Sequence, residues 1–281
     1  MTVKQLSSRL RDMLAAKFDA GEARAIERII IEHCLNMSPV DAVIKADMQI
    51  PDFTENKATG MAERVHNGEP VQYVVGHARF CGFDFKVTPA VLIPRPETAQ
   101  LVDMITDRHS YEKDLRVLDC GTGSGCIAIT LARALKFPEV TAIDISADAL
   151  EIARENASRI GADIIFRQKD ILSLDLPGEW DVIVSNPPYV LESERTAMES
   201  HVLDHEPHQA LFVPDTDPLR FYSAILSYAS SHLAQRGSVY FEINPIEADR
   251  YSSLASSFGF RHTDIVTDMY GRKRFAIISR Q

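Results

Sequence analysis

The chain has 281 residues, 45% hydrophobic and 25% charged, which is the balance of a globular protein of about two domains and excludes a fibrous or largely disordered chain. Its 30 Lys and Arg against 40 Asp and Glu give a net charge of −10, so bulk electrostatics repel a phosphate backbone and offer no support for non-specific nucleic-acid binding. No apolar run approaches the roughly 20 residues that span a bilayer, so no membrane association is expected and the reading is of a cytoplasmic protein.

Up to about residue 70 the periodicity is helical. Leu6, Leu10, Met13, Leu14 and Phe18 recur at three and four, and Ala23, Ile26, Ile30 and Cys34 make a second stripe. Ser38-Pro39 reads as an N-cap followed by proline at the first helical position. Thr54 reads as the cap of a further helix that ends at Asn67-Gly68. Residues 1–70 are therefore expected to form a small helical bundle. In VQYVVGHARFCGFDFKV the alternation with glycines predicts a β-hairpin. Pro89, Pro94 and Pro96 then rule out continuous helix before Glu97, which makes 71–98 a hairpin and stiff connector. From Leu115 strands and helices alternate. RVLDC (116–120), VTAID (140–144), DIIFRQ (163–168), DVIVSN (181–186) and SVYFEI (238–243) read as strands. Helices are expected to about Lys136, from Ser146, near Pro218–Leu233 and around Ala248–Phe258. The closing strands HTDIV and RFAIIS have no helix between them and predict an antiparallel hairpin at the sheet edge. Residues 99–281 thus predict an α/β domain, a largely parallel sheet covered on both faces.

The four cysteines, Cys34, Cys81, Cys120 and Cys126, form no CxxC pair and have no His neighbours at ligand spacing, so no metal is expected. Cys120 and Cys126 flank a glycine-rich turn inside apolar sequence and read as buried thiols. That turn, Gly121-Thr122-Gly123-Ser124-Gly125, joins a strand to a helix, where glycines let a ligand approach backbone N–H groups. Asp119 ends the strand before it. Asp144 ends the next strand, where an acid can accept hydrogen bonds from both hydroxyls of a ribose. The third glycine comes one position too early for a dinucleotide fingerprint, and no GxxxxGK[ST] is present. D-x-G-x-G-x-G with that acid resembles the S-adenosylmethionine site of Rossmann-like methyltransferases. The resemblance implies Asp119 at the cofactor's amino-acid end, Asp144 on the ribose, and Asp170 beside the adenine with Ile171 as an apolar wall.

Asn186-Pro187-Pro188-Tyr189 closes the fourth strand of the sheet domain, where open parallel sheets bind ligands. The prolines fix the backbone. The Asn186 side-chain oxygen and the Pro187 carbonyl can accept two hydrogen bonds from one planar –NH₂ group, and the Tyr189 ring can pack on a flat amide or base. Holding such a nitrogen so that its lone pair faces an electrophilic methyl is catalysis by positioning.

N-P-P-Y is shared by DNA adenine-N6 and protein glutamine-N5 methyltransferases. Gln72-Tyr73-x-x-Gly76, Phe80-x-Gly82-x-x-Phe85-x-Val87, Ile93-Pro94-Arg95-Pro96-Glu97-Thr98, VSNPPYV (184–190), Glu206-Pro207 with Ala210-Leu211, and Asp268-x-x-Gly271-Arg272-x-Arg274 together resemble the HemK/PrmC family over residues 65–281. These enzymes methylate the glutamine of the GGQ motif in class-1 peptide chain release factors. The resemblance implies a class I methyltransferase sheet behind an N-terminal helical bundle that recognises the substrate protein. It places Gly121, Thr122, Gly123, Ser124, Gly125, Asp144, Ile171 and Asn186 on S-adenosylmethionine, with Asn186, Pro187, Pro188 and Tyr189 on the glutamine. Arg95 and Glu97, counted with the substrate-binding residues, are expected to organise the wall between the domains rather than to do chemistry. A monomer acting on a release factor, with no direct nucleic-acid contact, is expected. Three departures stand out: Ala99 where the pattern has a second carboxylate, FVPDTDPL with Pro214 and Pro218 after Leu211, and Asn244 where glycine is common. None touches the turn or N-P-P-Y, so activity is expected to survive. A ribosomal-protein glutamine, a nucleic-acid adenine, or a non-catalytic scaffold are the alternatives. The IPRPET connector weighs against the first and the acidic charge against the second. The intact turn and N-P-P-Y weigh against the third.

Overall fold

The computed structural model describes residues 1–280 and divides into two compact units. The first takes Met1–His77 together with Glu199–His205. Its first helix, α1 (Val3–Leu14), starts at a reciprocal cap between Thr2 and Gln5 and buries Val3, Leu6, Leu10 and Leu14. The second, α2 (Ala20–Leu35), starts where the Asp19 carboxylate accepts from the N–H groups of Gly21 and Glu22. α3 (Pro39–Ile44) is capped by Ser38 as the sequence predicts, with Asp41 returning the bond.

Two expectations in this region are corrected. α4 (Asp52–His66) begins after Pro51 rather than at Thr54, which lies inside its first turn. Val71–Val75, expected as strand, is helix α5. Gly76 closes it at φ 80 with its N–H on the Gln72 carbonyl, and Val71, Val74 and Val75 enter the same core as Leu6, Leu10 and Ile30. A strand would bury only alternate residues, whereas this turn of helix buries four of five. Tertiary burial therefore overrides the β-propensity of the valines.

β1 (His77–Phe80) and β2 (Phe83–Lys86) form the expected hairpin. They turn through Cys81 and Gly82, both at positive φ, the conformation a two-residue hairpin loop requires. α6 (Pro96–Arg108) follows, with Pro96 in its first turn. The alternating part runs β3 (Arg116–Cys120), α7 (Cys126–Ala134), β4 (Glu139–Asp144), α8 (Ala147–Ile160), β5 (Ile165–Gln168), β6 (Trp180–Ser185) and the short β7 (Val190–Leu191). α9 (Ser200–His205), in a segment of the first unit, and β8 (Phe212–Val213), paired with β7, come next. α10 (Arg220–His232), β9 (Leu233–Glu242), α11 (Tyr251–Ser257), β10 (His262–Thr267) and β11 (Lys273–Ser279) complete the chain.

Seven strands make one sheet in the order β10-β11-β9-β6-β3-β4-β5. The five from β9 to β5 are parallel, and β11 pairs antiparallel with both β9 and β10. The pairing is interrupted by an irregularity at Val266/Thr267. Alternate residues feed two cores. Leu118 and Ile183 pack with Tyr222 and Phe241 on one face, while Val117, Val182 and Val184 pack with Leu101 and Ile127 on the other. Such double burial is why these strands are almost wholly apolar. Within this sheet the chain starts at β3 and leaves in both directions, so β3 and β6 are neighbours whose C-terminal ends form the topological switch point, where open α/β sheets bind ligands. Among the described residues no helix is long and apolar enough to cross a membrane.

Candidate active site

The switch point carries a cavity of about 290 Å³. Its floor is the turn after β3. Thr122 and Gly121 both donate backbone N–H bonds to the Ile143 carbonyl at 2.9 Å. The Asp144 carboxylate accepts from Gly123 N–H and Ser146 N–H, each at 2.9 Å. Burial raises the Asp144 pKa and these backbone donors oppose the rise, leaving on the cavity wall a carboxylate held by two N–H groups. Gly121, Thr122, Gly123 and Ser124 line the same cavity, as do Asp170 and Ile171 after β5. Asp170 caps its own turn by accepting from Leu172 N–H at 2.9 Å.

Two residues of the glycine motif stand elsewhere. Gly125, at φ +82, is not on the wall. A Cβ there would lie 2.8 Å from Ile129 Cδ1 and 3.2 Å from Ala153 Cβ, so this glycine permits α7 and α8 to close together. Asp119 is fully buried beneath the turn. It accepts from Thr122 Oγ1 at 2.6 Å and from Ala128 N–H at 3.2 Å, and its Oδ1 has no partner. Burial pushes its pKa up to about 7 against these two donors, and the Asp144 charge adds to the rise. Cys120 and Cys126 are buried, as expected. The turn is tied from outside by Asn156. Its amide donates to the Ser124 carbonyl at 2.9 Å and pairs with both backbone groups of Lys86, at 2.7 and 3.0 Å.

From β6 the chain enters N-P-P-Y. Asn186 and Pro188 line the cavity. Pro187 and Tyr189 are not on its wall: Pro187 is buried, and the Tyr189 hydroxyl donates to Glu242 Oε1 at 3.0 Å, with the Arg274 guanidinium 5.9 Å from its ring centre. Burial, with the Glu242 charge, holds the Tyr189 phenol well above its usual pKa. Asn186 Nδ2 donates to Thr98 Oγ1 at 3.2 Å, and Thr98 Oγ1 donates to Glu242 Oε2 at 2.7 Å. Asn244 Nδ2 holds the Tyr189 carbonyl at 3.1 Å and Glu194 Oε2 at 2.7 Å.

Arg95 lines the cavity and pairs through Nη2 with Glu206 Oε1 at 2.5 Å. Glu206 is 3% exposed and also accepts from Ile93 N–H at 3.3 Å. Glu97 is off the wall, in the first turn of α6. Ala99, at the position of the missing second carboxylate, packs against the apolar core beneath α6 and α7. Thr98 and Glu242 belong to the site as well, although no sequence pattern gives them a part in it. The available signal was a single glutamate inside the apolar strand SVYFEI, since a buried carboxylate is rarely there without partners.

Residues 97–211 match the methyltransferase small domain family and residues 5–76 the PrmC N-terminal domain family. The structure of a ribosomal protein L11 methylase from Lactobacillus delbrueckii subsp. bulgaricus is 25% identical at a TM-score of 0.50, covering 69% of this chain and 84% of that one. A 16S rRNA methyltransferase of T. thermophilus shares the fold at a TM-score of 0.52 and 18% identity, covering 72% of this chain and 49% of that one. A glycine turn and a wall carboxylate at the switch point of this fold, together with the family match, define a class I S-adenosylmethionine-dependent methyltransferase. The release factor glutamine methyltransferase of Bacteroides thetaiotaomicron is 39% identical over 280 residues, 99% of this chain and 100% of the relative. That of Flavobacterium psychrophilum is 39% identical over 278 residues, 98% of each. This chain belongs to the release factor glutamine methyltransferase family.

Proposed function

We propose that the protein methylates the side-chain amide nitrogen, N5, of the glutamine in the GGQ motif of class-1 peptide chain release factors. The observation that carries the reading is one cavity lined both by the Gly121–Ser124 turn with Asp144 and by Asn186 and Pro188. Asp144 takes the ribose hydroxyls, Asp170 and Ile171 flank the adenine, and the turn over Asp119 takes the amino-acid end. When bound, S-adenosylmethionine supplies an electrophilic methyl on a sulfonium sulfur and leaves as S-adenosylhomocysteine.

An amide nitrogen is a poor nucleophile because its lone pair is delocalised into the carbonyl. The Asn186 side-chain oxygen and the Pro187 carbonyl accept its two N–H bonds and aim the lone pair into the cavity, a positioning effect. Pro188 confines the amide plane from the cavity wall, and Tyr189, behind that wall, fixes the end of N-P-P-Y through Glu242. No side-chain base is required, because an N-alkylated amide that still carries both hydrogens is a strong acid and loses one to water. Arg95 holds the wall through Glu206, with Glu97 beside it, and residues 1–70 engage the release factor. The protein acts as a monomer in the cytoplasm.

The test incubates the purified protein with methyl-labelled S-adenosylmethionine and a release factor, its GGQ Gln→Ala variant, a ribosomal-protein fraction and adenine-containing DNA. Label is expected on the intact release factor alone. Label that persists on the Gln→Ala variant, or that goes to DNA, overturns the assignment.

A further inference from the structure

Glu242, at the end of β9, is 1% exposed, and the reaction as described gives it nothing to do. A buried carboxylate is costly unless its oxygens are occupied. Here Oε2 takes the Thr98 hydroxyl and Oε1 the Tyr189 hydroxyl. We propose that Thr98 and Glu242 are positioning residues that decide which way the Asn186 amide faces. The proposal rests on the reading above, in which the Asn186 oxygen must face the substrate.

An asparagine amide presents a carbonyl and an NH₂ of nearly equal shape, and only its partners tell the two apart. Rotated by half a turn, Asn186 would offer a donor to the glutamine NH₂, and the donor pair would repel. The inner partner prevents this. A hydroxyl has one proton, and an ionised carboxylate only accepts. Thr98 at 2.7 Å from Glu242 Oε2 must therefore spend its proton there. What its oxygen shows to Asn186, at 3.2 Å, is a lone pair. Only the NH₂ end satisfies it, so Oδ1 is left for the cavity. The same carboxylate anchors Tyr189, so both ends of N-P-P-Y are referred to one buried charge.

The surroundings of Glu242 bear on its ionised form. Burial raises its pKa, with Glu97 on α6 adding to the rise, while the Thr98 and Tyr189 hydroxyls and Arg274 on β11 favour the ionised form and oppose it. From α10, Tyr222 donates only to the Glu242 backbone carbonyl, at 2.9 Å. A carboxylate two hydrogen bonds behind Asn186, and with no contact to the reacting amide, is an orienting device of the kind that fixes a histidine tautomer from behind.

Thr98→Val keeps the side chain's shape and removes the hydroxyl that relays the orientation, whereas Thr98→Ser keeps the hydroxyl and removes a methyl. If Thr98 only packs, Val is tolerated and Ser is the worse variant. The relay demands the reverse order. With saturating release factor, Thr98→Val is expected to lower kcat by about 10- to 100-fold, the scale of a misdirected reacting group. Cofactor Kd, measured by calorimetry, is expected to stay near that of the wild type and so to report an intact fold. Thr98→Ser is expected to recover most of the rate. Equal losses in both variants, or a fully active Thr98→Val, overturn the relay. Asn186→Ala run alongside separates the two claims. If it retains the wild-type rate, the acceptor reading itself fails; if it is inactive while Thr98→Val is fully active, only the relay fails.

Discussion

Asp119 illustrates how one residue can carry a motif and be misplaced by it. Its folded pKa of about 7 stands above the ordinary 3.8 because burial penalises the charge. Between those values the folded protein holds a proton that the unfolded chain has released. Stability therefore falls as pH rises through that window, by up to about 1.4 kcal/mol per unit, and the loss is complete above the folded pKa. Asp119→Asn abolishes this titration. Thermal melts of both proteins from pH 5 to pH 8 are expected to show the variant gaining on the wild type as pH increases, and parallel curves would assign the slope to other groups. The sequence pattern D-x-G-x-G-x-G was legible as a cofactor turn, yet it did not separate wall from foundation. Gly123 and Asp144 share the cavity, whereas Asp119 and Gly125 support it from behind. What sorts them is Ala153, from a helix 28 residues further along, and burial, neither of which a local pattern contains.

At the level of elements, the sheet strands were readable because burial on both faces makes them continuous apolar runs. Val71–Val75 was not, since a five-residue apolar stretch reads equally as strand or buried helix and only the surrounding core decides. The two-residue strands Val190–Leu191 and Phe212–Val213 lie below any periodic signal. Asn244 was legible as a departure from the family pattern but not as a tie. Its amide holds the Tyr189 carbonyl and Glu194, and its Oδ1 accepts from Ile246 N–H at 3.0 Å. Asn244→Gly, which restores the commoner residue, removes all three bonds. One of them goes to a carboxylate, a contact worth about 1.5–3 kcal/mol. Deuterium uptake over residues 190–197 is expected to quicken by about tenfold or more, and unchanged uptake would mean that the segment is held by other contacts.

Over the whole molecule, the net charge of −10 becomes a statement about association. A basic partner would be steered in and held partly by long-range attraction, which salt screens. Affinity for a release factor is expected to weaken by about tenfold or more between about 50 and 500 mM NaCl, and a salt-independent Kd would sink the idea that charge complementarity contributes. The sheet has a second consequence at this scale. An open sheet ends in two strands whose outer N–H and C=O groups face no neighbour in the sheet, which invites pairing with another chain. Here one margin, Ile165–Gln168, is only four residues long and carries Arg167 and Gln168. The other, His262–Thr267, carries an exposed charge at Asp264 and breaks register at Val266/Thr267. A short margin and a kinked, charged one both make poor templates for a foreign strand, so the two ends of the sheet guard the protein against fibrous self-assembly.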